Sequence, residues 1–418
     1  MRSAPSTTSP ARATAAPAPR HLAFLLPNLK GRGVQRVVTV LSAALLARGH
    51  RVDIVACEAR GELLEAVREG VRIVPLPASS RLAAAAAAFR ADPGGFRLLL
   101  PFFLGRKLRI SRTAPHLPAL AEYLRSERPA TLFSADIHQN VEAVLARRLA
   151  GVPLRIVLSE RNHFSSGKPI KRWRARRLAP AMRRAYLEAD AVTAVSAGVA
   201  DDLAASLDIP RARIRVLHNP TIGPDFAERM AAPVDHPWFL DKPAPLVVGV
   251  GHLGYQKDFE TLLRAFARAR RRRPMRLAIV GGAKKPAPFL ELAGRLGVRE
   301  EVALLGYRAN PVAYVARADL FVLSSRYEGF PNVLLEALAC GTPVVATDCP
   351  HGPREILDGG RYGRLVPVAD EERLAEAMLE TLDSPPDPAY LRSRAGVFGY
   401  DAAIDAYERI LLGDPEPE

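Results

Sequence analysis

Cysteine is nearly absent: Cys57, Cys340 and Cys349 are the only three in 418 residues. Three irregularly spaced thiols cannot build a disulfide framework or a zinc site, so they read as reduced, structural thiols of a cytoplasmic protein. Long apolar runs are missing as well. Leu98–Leu104 is short and contains Pro101, far from the length of a membrane span. Aromatics make up only 6% of the chain, and no nucleic-acid-binding module is visible, so no nucleic-acid partner is expected. The net charge of +15 does not change this. Lysine is scarce and arginine abundant beside many alanines, which reads as compositional bias, so only local clusters carry meaning. No Asp-x-Asp pair is present to hold a metal. No Gly-x-Gly-x-x-Gly follows the opening strand either, because Gly31-Arg32-Gly33 lacks the third glycine. This counts against a dinucleotide-dependent oxidoreductase.

What is present is alternation of strands and helices, in two rounds. Residues 1–19, rich in Ala, Pro, Ser and Thr without an apolar segment, read as a disordered tail rather than a signal peptide. Residues 20–218 form the first domain, from the strand His21–Pro27 to Ile214–Leu217, with an irregular stretch at 78–115. Residues 219–244, rich in Pro, Asp and Ala, read as a linker. Residues 245–385 form the second domain, opening on the uninterrupted apolar strand Leu246–Gly251. In the last part, 386–418, residues 388–411 read as helical. The expected fold class is α/β, with two doubly wound, Rossmann-like domains of parallel strands covered on both faces.

The most informative run is Tyr-Glu-Gly-Phe-Pro-Asn-Val-Leu-Leu-Glu, residues 327–336. It follows the apolar strand Asp319–Leu323 and leads into a helix over Asn332–Cys340, with Pro331 suited to the first turn. Glu328 therefore falls on the strand-to-helix loop, and Glu336 about one and a half turns into the helix. Loops at the carboxyl ends of strands are where doubly wound sheets bind ligands. Free N–H groups at a helix start attract phosphate. Two carboxylates beside an anion site suit a ligand with both hydroxyls and phosphates, such as a nucleotide sugar.

This run resembles the E-x7-E motif of the retaining glycosyltransferases of family 4. Gly329-Phe330-Pro331-Asn332 between the acids and Glu336-Ala337-Leu338-Ala339-Cys340-Gly341-Thr342-Pro343 after them carry the likeness, which extends from about Leu22 to the last helix. The resemblance implies the GT-B fold, with the domains facing across a cleft and the C-terminal helix returning to the first domain. It implies that Glu328 binds the transferred sugar, with the backbone of Gly329, Phe330 and Asn332 nearby, and that Glu336 binds the ribose. In Gly251-His252-Leu253-Gly254-Tyr255-Gln256-Lys257-Asp258 it assigns Lys257 to the diphosphate, while His252 stands where the family has Arg. His lacks the bidentate fork of Arg. Gly281 and Gly282 correspond to a close approach to the nucleotide, and Tyr307-Arg308 to the loop under the base. Lys284-Lys285 add positive charge nearby or form a surface pair.

With no metal pair, a leaving diphosphate would rely on fixed cations and backbone N–H groups, and no metal or other cofactor is expected. By the same resemblance, Gly33 and Arg36 face the acceptor, as do Glu160 and Arg161 of Ser159-Glu160-Arg161-Asn162. His138 is an acceptor-side candidate or part of a helix cap with Asp136 and Asn140. Ser196 reads as a cap and Asn219-Pro220 as a turn. The implied activity is retaining transfer of a hexose-type sugar from a nucleoside-diphosphate sugar, expected to be UDP-linked, to a glycan or lipid-linked saccharide. A sugar-nucleotide isomerase or hydrolase on the same fold is the alternative, for which no acid–base cluster is evident. Lys171-Arg172-Trp173-Arg174-Ala175-Arg176-Arg177 and Leu98–Arg112 are basic and apolar. They suggest peripheral attachment to an anionic membrane surface or else an arginine-rich solvated face.

Overall fold

The structure, a computed structural model, describes residues 18–30, 33–103, 111–166, 169–242, 244–282 and 286–414. Gly31, Arg32, Lys284, Lys285 and nearly all of the N-terminal tail lie outside the described residues, as do the side chains of Lys171, Arg172 and Arg174.

Two sheets, both entirely parallel, form the two domains. The first contains β1 (His21–Asn28), β2 (Arg51–Glu58), β3 (Arg72–Pro75), β4 (Thr131–Ser134), β5 (Arg155–Glu160), β6 (Ala191–Ala194) and β7 (Ile214–Val216). Their order is β3-β2-β1-β4-β5-β6-β7. The second contains β8 (Leu246–Val250), β9 (Arg276–Val280), β10 (Val302–Gly306), β11 (Leu320–Leu323), β12 (Val344–Thr347) and β13 (Arg364–Val366), in the order β10-β9-β8-β11-β12-β13. Each order reverses once, between β1 and β4 and between β8 and β11. Such switch points open a crevice at the carboxyl ends of the strands. Every residue of β8 and of β11 is buried, as expected for strands with helices on both faces. All three cysteines are free. Burial pushes the thiols of Cys340 and Cys349 up to about 12 and raises Cys57 further, so they behave as small apolar groups.

Several stretches differ from the sequence-based expectation. The stretch 78–115 holds two helices, Arg81–Ala91 and Phe96–Phe103. The alanine run is intrinsically helical, and Ser80 Oγ accepts from the Ala83 amide at 3.1 Å to cap it. The linker folds into two short helices, Phe226–Ala231 and Pro237–Leu240. The stretch 388–411 is two helices, Pro388–Gly396 and Tyr400–Leu412, interrupted before Tyr400 at Gly399. The first stays on the second domain, where the Cβ-free Gly341 lies against Pro388 and Arg392.

The second of these helices crosses back to the first domain. Thr131 Oγ1 donates to the Leu411 carbonyl at 2.6 Å and Arg155 Nε to that of Ile410 at 2.9 Å. His50 Nε2 and Glu408 Oε1 meet at 2.7 Å, and Arg48 pairs with both Glu408 and Asp405. Among the described residues no helix is long and apolar enough to cross a membrane. On the basic helix Pro169–Glu188, Trp173 is exposed, with the Arg177 guanidinium 5.2 Å from its ring centre.

Candidate active site

The two loops that leave the switch point of the second sheet meet side chain to side chain. One follows β8 and carries His252, Gln256 and Lys257; the other follows β11 and carries Ser325 and Glu328. Lys257 Nζ lies 2.7 Å from Glu328 Oε1. Ser325 Oγ donates to the same oxygen at 2.6 Å, and Gln256 Nε2 to Glu328 Oε2 at 3.3 Å. Glu328 is only 5% exposed. A buried carboxylate is tolerated only with such partners. Its backbone is fixed as well: its N–H donates to the Pro350 carbonyl at 2.8 Å and its carbonyl accepts from the His351 N–H at 3.2 Å.

Glycines let the β8 loop and the strand beside it come together. Gly281, with φ 155°, packs on Gly251 so closely that a Cβ would lie 1.8 Å from the Gly251 carbonyl oxygen. Its N–H donates to the Gly306 carbonyl at 2.8 Å, and Gly282 accepts from the Leu253 N–H at 3.1 Å. Gly282 and the exposed Tyr307 are neighbours. His252 is exposed on the same loop. Arg308 is committed elsewhere, to Tyr314 Oη at 3.0 Å and Asp235 at 3.2 Å.

The helix Asn332–Cys340 starts where the Glu328 loop ends, and its first N–H groups have no partners within the helix. Glu336, buried one turn in, is held by Arg229 of the linker at 3.1 Å. The side chains of Phe330 and Asn332 serve the domain contact. Phe330 packs between His218 and Phe398, at ring-centre distances of 5.0 and 5.3 Å, and Asn332 Oδ1 accepts from Asn219 Nδ2 at 2.6 Å. Only their backbone is left for a ligand. Gly329 touches the first domain directly. Its carbonyl accepts from Ser196 Oγ at 2.8 Å, and a Cβ there would lie 2.3 Å from the Arg161 carbonyl oxygen.

The acceptor-side candidates cluster at the facing ends of β1, β4 and β5, with different roles. Gly33 begins the helix Gly33–Ala47. Arg36, in its first turn, reaches across and donates to the Ala309 carbonyl at 2.9 Å. Asp136 caps the helix Ile137–Ala150 by accepting from the His138 N–H at 3.0 Å, so the cap reading of this cluster holds for its backbone. Arg161 donates to Tyr407 Oη at 2.5 Å and to Asn219 Oδ1 at 2.6 Å, which makes it a fastener between the first domain, the linker and the crossing helix. Glu160 is buried; Tyr186 Oη donates to it at 3.0 Å and accepts from Asn140 Nδ2 at 2.6 Å. Burial pushes the Glu160 carboxyl up to about 7.

Glu142, two residues after Asn140 on the same helix, is buried between the hydroxyls of Ser111 and Thr113 at 2.7 and 2.8 Å, and burial pushes it up to about 8. The folded chain therefore keeps a proton that the unfolded chain releases near pH 4.3. Stability is full below that pH and falls as pH rises toward about 8, by at most about 1.4 kcal/mol per pH unit for one proton. Glu142→Gln, which never ionises, is expected to melt above the wild type at pH 8 and no higher than it at pH 4.5. Equal melting temperatures at both pH values would contradict this.

Sequence reasoning missed Ser325, Arg229, Tyr186 and the Pro350–His351 backbone. Arg229 and Pro350–His351 carry no motif, and their roles come from tertiary contact. Ser325 stands three residues before Glu328, a spacing that could have suggested it. Among the described residues, the side chains spaced to hold a metal are His21, Asp53 and Glu127. Their carboxylates are already held by Arg72, Tyr123 and Arg51.

Comparison with known proteins accounts for both domains. Residues 32–220 match the family model described as glycosyl transferase 4-like domain, and residues 244–384 match that of glycosyl transferases group 1. The chain belongs to the glycosyltransferases of GT-B fold. A Campylobacter jejuni relative, N-acetylgalactosamine-N,N'-diacetylbacillosaminyl-diphospho-undecaprenol 4-alpha-N-acetylgalactosaminyltransferase, is 32% identical over 202 residues, covering 47% of this chain and 52% of that protein. The lipopolysaccharide core biosynthesis glycosyltransferase LpsE of Rhizobium meliloti is 33% identical over 183 residues, covering 42% and 53%. These matches span about half the length of each relative. Among solved structures, Anabaena HepE in complex with UDP-glucose superposes with a TM-score of 0.73 at 16% identity, covering 94% of this chain and 99% of that one. WaaG, involved in lipopolysaccharide biosynthesis, gives 0.69 at 19% identity, covering 94% and 100%. At these identities the structures bear on the fold alone.

Proposed function

We propose that this chain is a retaining glycosyltransferase of family 4. It moves a hexose-type sugar from a nucleoside-diphosphate sugar, UDP-linked, to a glycan or lipid-linked saccharide. The observation that carries this reading is the Lys257–Glu328 pair, 2.7 Å apart at the switch point of the second sheet. In this reading Lys257 is the cation for the diphosphate, and Glu328 beside it is the carboxylate for sugar hydroxyls. The Campylobacter relative is named for a diphospho-undecaprenol-linked acceptor, which supports the proposed acceptor class; HepE, of the same fold, was solved with UDP-glucose.

In this reading the bond between the anomeric carbon and the phosphate oxygen breaks while the acceptor hydroxyl oxygen bonds to the same face of the sugar. The departing phosphate oxygen takes the hydroxyl proton. Lys257 neutralises charge developing on the diphosphate, with help from backbone N–H groups of the loop. Glu328 fixes the sugar hydroxyls, and Glu336 those of the ribose. Positioning and electrostatics supply the rate, and no covalent nucleophile is needed.

A thermal-shift screen with UDP, GDP, NAD and a short RNA tests the class. Stabilisation by a nucleoside diphosphate is expected; stabilisation by NAD or RNA alone would overturn the reading. Retention is then read from the product by nuclear magnetic resonance, and an inverted anomeric centre would exclude the same-face mechanism.

A further inference from the structure

Residues 324–326 of the Glu328 loop grip residues 255–258 of the Lys257 loop position by position. Ser324 Oγ donates to the Lys257 carbonyl at 2.8 Å. The Arg326 N–H donates to the Gln256 carbonyl at 2.7 Å. The Arg326 guanidinium pairs with Asp258 Oδ2 at 2.9 Å and lies 5.0 Å from the centre of the Tyr255 ring. Neither the two-glutamate motif nor the diphosphate lysine accounts for this arginine.

Asp258 is the point of leverage. It has a left-handed backbone, with φ 46°, a conformation that Asp tolerates better than most residues with a Cβ and that its side-chain contacts hold in place here. Its side chain is 4% exposed, and its Oδ2 accepts from Thr261 Oγ1 at 2.7 Å as well as meeting Arg326. Lys257 is the residue immediately before this turn. The direction in which its side chain leaves the loop therefore depends on Asp258 staying in place. Lys257 Nζ has little freedom to spare, because it must serve Glu328 and a diphosphate at once.

We propose that Arg326 is a positioning residue for Lys257. The Arg326 side chain, by holding Asp258 and the Tyr255 ring, presets the lysine to meet a nucleoside diphosphate. This rests on the donor-binding reading above. Arginine suits the task because one planar group meets the Asp258 carboxylate through a terminal nitrogen and lies over the Tyr255 ring at the same time. Lysine would keep the ion pair and lose most of the stacking.

The test is a double-mutant cycle read by calorimetric titration of UDP, or of GDP if the wild type prefers it. The proteins are wild type, Arg326→Gln, Arg326→Lys, Lys257→Ala and the two double variants, with a melting temperature recorded for each. Arg326→Gln is expected to weaken UDP binding about tenfold, and Arg326→Lys by less. Added to Lys257→Ala, either change should cost little more, because the effect passes through the lysine. Losses that multiply in the double variants would overturn the proposal, and so would full UDP affinity in a folded Arg326→Gln. If Arg326→Gln does not fold, the cycle with Arg326→Lys decides on the same criterion. A wild type that binds neither UDP nor GDP would remove the donor reading itself, and this inference with it. Wild-type binding with multiplying losses removes this inference alone.

Discussion

Glu328→Gln is expected to lower transfer turnover by about 10²–10³-fold, the scale of losing one preorganised electrostatic contact at a reacting centre. The substitution keeps size and shape. The amide oxygen can still accept from Ser325, so the loop should stand. What disappears is the negative charge that holds Lys257 at 2.7 Å and would order the sugar hydroxyls. The measurement is donor hydrolysis and transfer across a panel of nucleotide sugars, wild type beside the variant. Because Glu336 and the helix start are untouched, nucleotide binding should suffer far less than turnover. Unchanged turnover would take Glu328 out of the site.

Gly329→Ala is expected to cost about 10²-fold in turnover by a different route. A Cβ at this residue would lie 2.3 Å from the backbone carbonyl of Arg161, whereas ordinary contact begins at 3.4 Å. A backbone atom cannot swing aside, so the first domain must retreat by about 1 Å. Misplacement by about 1 Å is enough for a loss of this size. Each domain has a core layer of its own, around Leu41 in the first and Leu262 in the second, so the melting temperature should fall less than turnover does. A variant with wild-type turnover would mean that the two domains need not touch here during the reaction. A large drop in melting temperature would mean instead that the contact stabilises the fold.

Much of this was legible in the sequence because doubly wound domains write themselves locally. Uninterrupted apolar strands such as β8 and β11, each followed by a polar loop and a helix, imply buried parallel sheets with sites at the strand ends. Glu328, Lys257 and the glycines 251 and 281 all lie on such loops, and all meet in the structure. The unread parts depend on tertiary contact. Nothing local marks Arg229 as the partner of Glu336, or Tyr407 as the partner of Arg161, across 107 and 246 residues respectively. The resemblance implies that Phe330 and Asn332 lie near the ligand through their backbone; that their side chains turn to the other domain is written nowhere locally. The alanine run at 83–88 falls in the stretch expected to be irregular, yet its intrinsic preference is helical and it forms a helix.

The return of the last helix has a mechanical consequence. The chain passes between the domains twice, once through the linker after β7 and again between Gly396 and Tyr400. A single tether lets two bodies swivel freely; two tethers leave rotation about the line that joins them, the geometry of a hinge. Arg161 ties the two passages together, bonded to Asn219 at the first and to Tyr407 after the second. A residue that the resemblance assigns to the acceptor side thus serves the structure as a tie between the two passages. A change at Arg161 would loosen both passages at once.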